Sequence, residues 1–242
     1  MKVVVCKDYN EMSKIGANII ITEMLKKDVF KIGLATGSTP KKMYEYLIEA
    51  YENKVISFKN VLSVNLDEYV GIDFNDNNSY HKFMFDNLFN HVDINKENIF
   101  IPTPKENELE KSVEEYNRIL DKIGKRNLQV LGMGNNGHIA FNEPSNKLNL
   151  RTSVVNLKKE TIEANSRFFE SEEEVPTKAM SMGIADATNA DVILVMASGK
   201  GKHYAVKKLI NTEVVDLEFP ASVLKLKENV ILLVDKEAYS GE

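Results

Sequence analysis

Residues 128–144, LQVLGMGNNGHIAFNEP, join a short apolar run to a glycine-rich turn. Leu128–Leu131 is mostly apolar, as expected of a parallel strand that is buried on both faces. Gly132, Gly134 and Gly137 favour a tight turn, because glycine adopts backbone conformations that other residues avoid. The turn presents four hydrogen-bonding side chains: Asn136, His138, Asn142 and Glu143. A histidine and a carboxylate at the carboxyl end of a strand can exchange protons with a ligand, so this stretch predicts the centre of an active site.

The three glycines also match G-x-G-x-x-G, the fingerprint of dinucleotide-binding domains. That fingerprint requires a long helix after the glycines and an acidic residue about 20 positions further on. Pro144 instead follows soon after Gly137, and Arg151 and Thr152 occupy the place of the acidic residue. The pattern therefore does not predict a dinucleotide cofactor.

The composition is that of an ordinary globular domain. The 242 residues are 43% hydrophobic and 28% charged, which fits one α/β domain spanning residues 1–242. The formal net charge is -5, and the charges are interspersed, which argues against a nucleic-acid partner because such a partner requires a basic surface.

The cysteine and histidine content and the lengths of the apolar runs argue against a disulfide-bonded, metal-binding or membrane protein. The single cysteine, Cys6, cannot form an internal disulfide, and the four histidines have no metal-binding spacing, so no metal is expected. The longest apolar run, Val192–Ala197, is too short to cross a membrane, so no membrane association is expected. The N-terminal run is too short for a signal peptide. We therefore expect a cytoplasmic protein.

Apolar strands alternate with amphipathic helices along the chain. The predicted strands or extended segments are Val3–Cys6, Phe30–Ala35, Val61–Leu66, Ile99–Pro104, Leu128–Leu131, Thr152–Leu157, Lys178–Ile184, Asp191–Ala197 and Val230–Val234. The predicted helices are Tyr9–Lys27, Lys41–Glu52, Ser79–Phe89, Glu108–Ile123, Lys158–Phe169 and Lys200–Ile210. This alternation predicts an α/β fold with a doubly wound, mostly parallel, Rossmann-like sheet and helices on both faces.

Polar loops directly follow several of the predicted strands. These loops are Thr36–Thr39, Asp67-Glu68, Gly132–Glu143 and Ser198–Lys200. In an open parallel sheet the carboxyl ends of the strands lie along one edge, where ligands bind. We therefore expect these loops to form one site.

Three parts of the chain can bind a phosphate group. Thr36, Gly37, Ser38 and Thr39 precede a helix whose amides and dipole can hold an anion, although Ser38 or Thr39 could also serve as a plain N-cap. Lys200 begins a helix, where a bound anion would relieve the conflict between its charge and the helix dipole, although an exposed lysine could simply be solvated. Arg167 could close over a phosphate, or pair with Glu163 on the surface.

Asp67 and Glu68 follow a buried strand, so at least one carboxylate is expected to face the crevice. A carboxylate there can act as a base, especially if burial raises its pKa towards neutrality. The alternative is a structural carboxylate that accepts hydrogen bonds from loop amides. His138 could likewise be a structural histidine.

Four motifs together resemble the glucosamine-6-phosphate deaminases: LATGSTP (34–40), NLDEYVG (65–71), GHIAFNEP (137–144) and ANSRFF (164–169). The resemblance covers nearly the whole chain in order and spacing. GHIAFNEP is the most specific motif, because the related 6-phosphogluconolactonases share the fold and a GH turn but continue differently.

The resemblance implies a hydrolase of amino-sugar and N-acetylglucosamine catabolism that uses neither a cofactor nor a metal. It would convert glucosamine 6-phosphate and water into fructose 6-phosphate and ammonia. Asp67 would be the base that moves a proton from C2 towards C1, and His138 would assist ring opening while Glu143 holds its imidazole. The phosphate would contact Thr36, Ser38, Arg167 and Lys200.

The chain departs from the family pattern at two positions. Many members have aspartate where this chain has Asn136, so Glu143 must contribute more of the charge that polarises His138. Ser38 replaces a glycine that is common in the phosphate loop. Neither substitution is interpreted as a loss of activity.

Three alternative functions remain. A galactosamine-6-phosphate deaminase would keep all the motifs, whereas a 6-phosphogluconolactonase-like hydrolase would not need Asp67. A non-catalytic sugar-phosphate sensor would usually carry a DNA-binding module, and none is evident.

Two regulatory features follow from the resemblance. Residues 158–176 are expected to form a lid over the sugar phosphate, because they combine a charged helix with an acidic loop. The protein is expected to be a monomer or small homo-oligomer. Allosteric activation is not expected, since Ser153 and Val155 replace the basic residues of the regulated branch. Arg151 aligns outside that basic pair, and the chain ends eight residues after Val230–Val234, without the C-terminal tail of that branch.

Overall fold

A computed structural model describes residues 1–166, 169, 171 and 174–242, without the side chains of residues 160, 164 and 165. In this part of the chain, seven parallel strands form the main sheet, in the order β1-β10-β9-β6-β2-β3-β5. The strands are β1 (Lys2–Cys6), β2 (Phe30–Leu34), β3 (Val61–Asn65), β5 (Ile99–Phe100), β6 (Arg126–Gly132), β9 (Ala190–Ala197) and β10 (Val230–Asp235). The predicted doubly wound parallel sheet is confirmed.

The α-helices of the described residues are α1 (Tyr9–Met24), α2 (Ser38–Glu52), α3 (Tyr80–Asn87), α4 (Leu109–Ile123), α5 (Lys159–Ser166), α6 (Ile184–Ala187), α7 (His203–Asn211) and α8 (Lys236–Ser240). The sequence analysis did not predict α6 or α8, both of which are too short to show helical periodicity. It also began the second helix at Lys41, whereas α2 begins at Ser38 and Pro40 lies in its first turn. Similarly, Lys200–Lys202 is a 3₁₀ turn that precedes α7.

A second, antiparallel sheet was not predicted. Within the described residues it contains three strands in the order β4-β8-β7, with β4 at Asp67–Tyr69, β7 at Ser153–Asn156 and β8 at Lys178–Ser181. The chain leaves the main sheet after β3 and pairs residue by residue with β8, so that Asp67 lies opposite Ser181. This small sheet places Asp67 beside the carboxyl edge of the main sheet.

The hydrophobic core surrounds the central strands. Ile193–Ala197 of β9 and Leu128–Leu131 of β6 are buried at every position, which requires cover on both faces of the sheet. A smaller cluster under the second sheet contains Tyr69, Phe141 and Leu157. Among the described residues, no helix is long and apolar enough to cross a membrane.

Candidate active site

The site lies at the carboxyl ends of four neighbouring strands. β9, β6, β2 and β3 are adjacent in the sheet, and the four polar loops identified in the sequence follow these strands. From β2 the chain adds β3 and β5 on one side of the sheet, and from β6 it adds β9 and β10 on the other side. The boundary between β6 and β2 is therefore the topological switch point. Ligands of doubly wound sheets bind at such a point.

The turn after β6 is closed by its own backbone. The Gly134 amide donates to the His138 carbonyl at 2.9 Å, and the Gly137 amide donates to the Gly134 carbonyl at 2.9 Å. Gly137 has φ +85°, and a Cβ there would lie 2.2 Å from the ring of Phe219, so only glycine fits this position. The glycines are therefore explained by the tight turn, without a role in dinucleotide binding.

Asn136 connects His138 to Glu143. His138 Nδ1 lies 2.8 Å from Asn136 Oδ1 and 3.4 Å from Glu143 Oε2, so the amide is its closer partner. Asn136 Nδ2 donates to Glu143 Oε2 at 2.9 Å. Because the Asn136 Oδ1 atom can only accept, Nδ1 carries the ring proton of a neutral His138 and Nε2 remains able to accept one.

Glu143 is held in its charged form. Burial alone would raise its pKa, but hydrogen bonding and charge from His138, with further hydrogen bonds from Thr161 and Asn136, lower it to about 2. Asparagine at position 136 favours this state, because its amide donates to Glu143 where a second carboxylate would repel it. The expectation that Glu143 supplies the charge beside His138 agrees with this geometry.

Asp67 is a buried carboxyl group with a strongly raised pKa. Its residue is 7% exposed, and burial, followed by the nearby charge of Glu68, raises its pKa to about 8. No hydrogen bond within the described part of the chain holds its carboxyl group. A carboxyl group with a pKa near neutrality is suited to accept and return a proton.

Glu68 has a structural position instead. It is fully buried and accepts the amides of Tyr69 and Tyr80 through Oε1, at 2.9 and 3.0 Å, and that of His81 through Oε2, at 2.8 Å. It thereby anchors the first turn of α3 beneath Asp67. Of the two adjacent carboxylates, Asp67 is therefore the one available for chemistry.

β8 joins Asp67 to the turn that carries His138. Ser181 lies opposite Asp67 in the second sheet, and its Oγ accepts the amide of Phe141 at 3.1 Å. Asn142 Nδ2 donates to the Met182 carbonyl at 2.7 Å. The sequence analysis missed Ser181, because its proximity to the turn depends on a strand pairing between residues far apart in the chain.

The loop after β2, residues 36–39, leaves the start of α2 open. The N-cap residue of α2 is Gly37, with φ +93°, and no side chain caps the helix. The alternative reading of Ser38 or Thr39 as a plain N-cap is therefore wrong, since both lie inside the first turn. Uncapped amides at a helix N-terminus favour an anion. Tyr9, which the sequence analysis did not select, fastens this turn by donating its hydroxyl to the Ser38 carbonyl at 2.8 Å.

Lys200 follows β9 and is exposed. The loop before it is held by buried Asp235, which bonds the Ser198 hydroxyl and accepts the Gly199 amide. Arg167, the other predicted cation of the site, lies outside the described residues, as does part of the predicted lid. The described parts of that segment contact the site through Thr161, whose hydroxyl bonds Glu143 Oε1, and through Phe169, whose ring centroid lies 6.0 Å from that of Tyr69.

An open parallel sheet with buried polar side chains and an uncapped helix start at its switch point defines the class of doubly wound α/β proteins, which bind ligands at this point. Comparison with known proteins specifies the family. Residues 10–233 match the family model described as glucosamine-6-phosphate isomerases/6-phosphogluconolactonase.

Named relatives and solved structures agree with this match. Glucosamine-6-phosphate deaminase from Clostridium novyi (strain NT) is 47% identical over 99% of both chains. The enzyme of that name from Thermoanaerobacter sp. (strain X514) is 46% identical, over 99% of this chain and 94% of its own. A structure described as a monomeric glucosamine-6-phosphate deaminase has a TM-score of 0.96 at 42% identity, with complete coverage of both chains.

A 6-phosphogluconolactonase from Thermotoga maritima shares the fold, with a TM-score of 0.76 at 22% identity over 97% of this chain and 99% of its own. The chain belongs to the glucosamine-6-phosphate deaminases, within the family of glucosamine-6-phosphate isomerases and 6-phosphogluconolactonases.

Proposed function

We propose that this protein converts glucosamine 6-phosphate and water into fructose 6-phosphate and ammonia. The observation that carries the proposal is the buried Asp67 carboxyl group at the start of β4, in a chain of the deaminase family. Asp67 is paired with Ser181, which in turn bonds the loop that presents His138. Isomerisation requires a group that removes a proton from C2 and returns it at C1, whereas lactone hydrolysis does not.

Asp67 is the base of this reaction. With a pKa of about 8 it binds a proton near neutral pH in the free protein. The cationic amino group of the substrate favours the ionised carboxylate, because a nearby opposite charge lowers an acid's pKa. Substrate binding thus converts Asp67 into the form that accepts the C2 proton.

His138 assists the opening of the pyranose ring. Its Nε2 can take the proton of the anomeric hydroxyl and deliver one to the ring oxygen, while Asn136 and Glu143 hold Nδ1. Glu143 stays ionised, so it stabilises the imidazolium that forms during the transfer. Asn136 orients both partners in place of the aspartate that many relatives carry.

The phosphate group binds between the loops that follow β2 and β9, the strands on either side of β6. Thr36, Gly37, Ser38 and Thr39 supply hydroxyls and the amides of the open α2 N-terminus, and Lys200 supplies charge. Arg167 is proposed as a third ligand from its motif alone. The chemistry needs neither a metal nor a cofactor, and we propose a cytoplasmic enzyme that acts without a nucleic-acid partner, as a monomer or small homo-oligomer.

The test is an ammonia-release assay with glucosamine 6-phosphate and galactosamine 6-phosphate side by side. Release from glucosamine 6-phosphate with formation of fructose 6-phosphate is expected. Preference for the galactosamine epimer would revise the substrate, and hydrolysis of 6-phosphogluconolactone without ammonia release from either sugar would overturn the proposal.

N-acetylglucosamine 6-phosphate is expected not to activate the enzyme. The two positions that carry basic residues in the regulated branch hold Ser153 and Val155 in β7, and Arg151 is engaged with Asp121 at 2.8 Å and Asp186 at 3.3 Å. An effector shifts an equilibrium only if it binds two states differently. The rate should rise hyperbolically with substrate, measured with and without the acetylated sugar. A sigmoidal curve that becomes hyperbolic on its addition would contradict this prediction.

Residues 158–176 are proposed to close over the sugar phosphate as a lid. Residues 167, 168, 170, 172 and 173 lie outside the described part of the chain, so the proposal is based on the charged sequence and on the contacts of α5. Hydrogen exchange of this segment is expected to slow when a non-reactive sugar-phosphate analogue is added. Exchange that stays unchanged here while other site loops become protected would argue against a lid.

A further inference from the structure

The two carboxylate oxygens of Glu143 have different partners. Oε2 faces the turn that follows β6 and carries Asn136 and His138, here called the catalytic turn; it accepts from Asn136 Nδ2 at 2.9 Å and lies 3.4 Å from His138 Nδ1. Oε1 faces α5, where it bonds the hydroxyl of Thr161. Since an ionised carboxylate can only accept, Thr161 is the donor of this bond. Both oxygens of the Glu143 carboxylate are therefore held by hydrogen bonds.

The contact with Thr161 is enclosed by protein. Thr161 and Glu143 are each 9% exposed, so water has little access to replace the hydroxyl. A second bond joins the same two segments next to this contact, because Lys158 Nζ donates to the Pro144 carbonyl at 2.5 Å. Lys158, which precedes α5, and Thr161 in its first turn are thus attached to the adjacent residues Pro144 and Glu143. Of these two bonds, only that of Thr161 reaches a side chain that contacts His138.

We propose that Thr161 is a positioning residue of the active site, whose hydroxyl holds Oε1 of Glu143 so that Oε2 is aligned on Asn136 and His138. The inference rests on the proposed function for its kinetic consequences, but the geometry it describes does not depend on the substrate. Rotation of the Glu143 carboxylate would move Oε2 away from its partners, and a buried hydrogen bond to Oε1 opposes that rotation.

Thr161 also links α5 to the chemistry of the catalytic turn. When α5 lies against the turn, Glu143 has its full set of donors, and its charge stabilises the imidazolium of His138. When Thr161 is absent, a buried carboxylate oxygen loses its partner, which is costly unless the side chain turns towards water. The expected consequence is slower proton transfer at His138 with little change in phosphate binding.

The test replaces the hydroxyl without changing the size of the side chain. Thr161→Val is expected to lower kcat about tenfold with KM within about twofold, since a hydrogen bond to a charged group is lost away from the phosphate loops. Thr161→Ser should restore most of kcat.

Thr188→Val is the matched control. Thr188 is also buried, and its hydroxyl donates to the Ile184 carbonyl at 2.7 Å, away from the site. This variant should keep the kcat and the KM of the wild-type protein. A valine variant of Thr161 with unchanged kcat, a serine variant that fails to rescue, or an equal loss in the Thr188 control would each overturn the inference.

A readout without substrate separates this inference from the proposed function. In protein labelled with ¹⁵N-histidine, the ring signals of His138 should shift in Thr161→Val and stay in place in Thr161→Ser and Thr188→Val. Their assignment comes from the loss of one signal set in His138→Gln. Unshifted His138 signals would overturn the positioning role, whereas a wild-type protein that releases no ammonia would overturn the function alone.

Discussion

Replacing Asp67 with asparagine is expected to lower the turnover of glucosamine 6-phosphate by about 10²-fold or more, because the variant loses the group that we propose as the acceptor of the C2 proton. The amide has nearly the same shape, and Asp67 is not part of the phosphate loops, so the substrate should still bind. The measurement is kcat from ammonia release, together with the dissociation constant of a sugar-phosphate analogue. Near-full turnover would remove Asp67 from the mechanism.

The stability of the same variant shows whether it has simply unfolded. The pKa of Asp67 is raised from 3.8 to about 8, so between these values the folded protein holds a proton that the unfolded chain has released. Its ionisation therefore destabilises the folded state as the pH rises through this window. Asparagine never ionises, so the melting temperature of Asp67→Asn at pH 8 should equal or exceed that of the wild-type protein.

Replacing Gly134 with alanine is expected to lower kcat by about tenfold to a hundredfold, because it displaces the ring of His138, the proposed acid-base group. A Cβ at this position would lie 2.2 Å from His138 Cε1 and 2.3 Å from its Nδ1. The ring must move, and its contact with Asn136 is lost. Kinetic analysis of purified Gly134→Ala, with circular dichroism to verify folding, measures the effect.

Gly132→Ala is the control for this variant. Both glycines belong to the same motif, but a Cβ at Gly132 would meet no atom within 4 Å, and its φ is not positive. This variant should therefore fold with the melting temperature of the wild-type protein and keep the His138 ring in place. If Gly134→Ala retains wild-type kcat, the position of the ring is not the property that the glycine protects.

The sequence by itself determined the fold class and most of the elements. Apolar runs such as Asp191–Ala197 and Val230–Val234 match observed strands to within one residue at each end, because a strand buried on both faces leaves an unbroken apolar signal. The four motifs identified the family, since glycines, a histidine and carboxylates in fixed local order constrain the turns that present them. The location of the four polar loops at one edge of the sheet could also be predicted, because the carboxyl ends of parallel strands lie along the same edge.

Tertiary structure alone decided which of these residues act together. Asp67 and Glu68 are equivalent in sequence, but Glu68 accepts hydrogen bonds from the amides at the start of α3. Asp67 is also buried, and among the described residues no amide donates to its carboxyl group, so the two side chains have different environments. Ser181 and Thr161 reach the catalytic turn only through β8 and α5. Burial and hydrogen bonding between distant segments have no local sequence signal, because they arise only when the segments pack together.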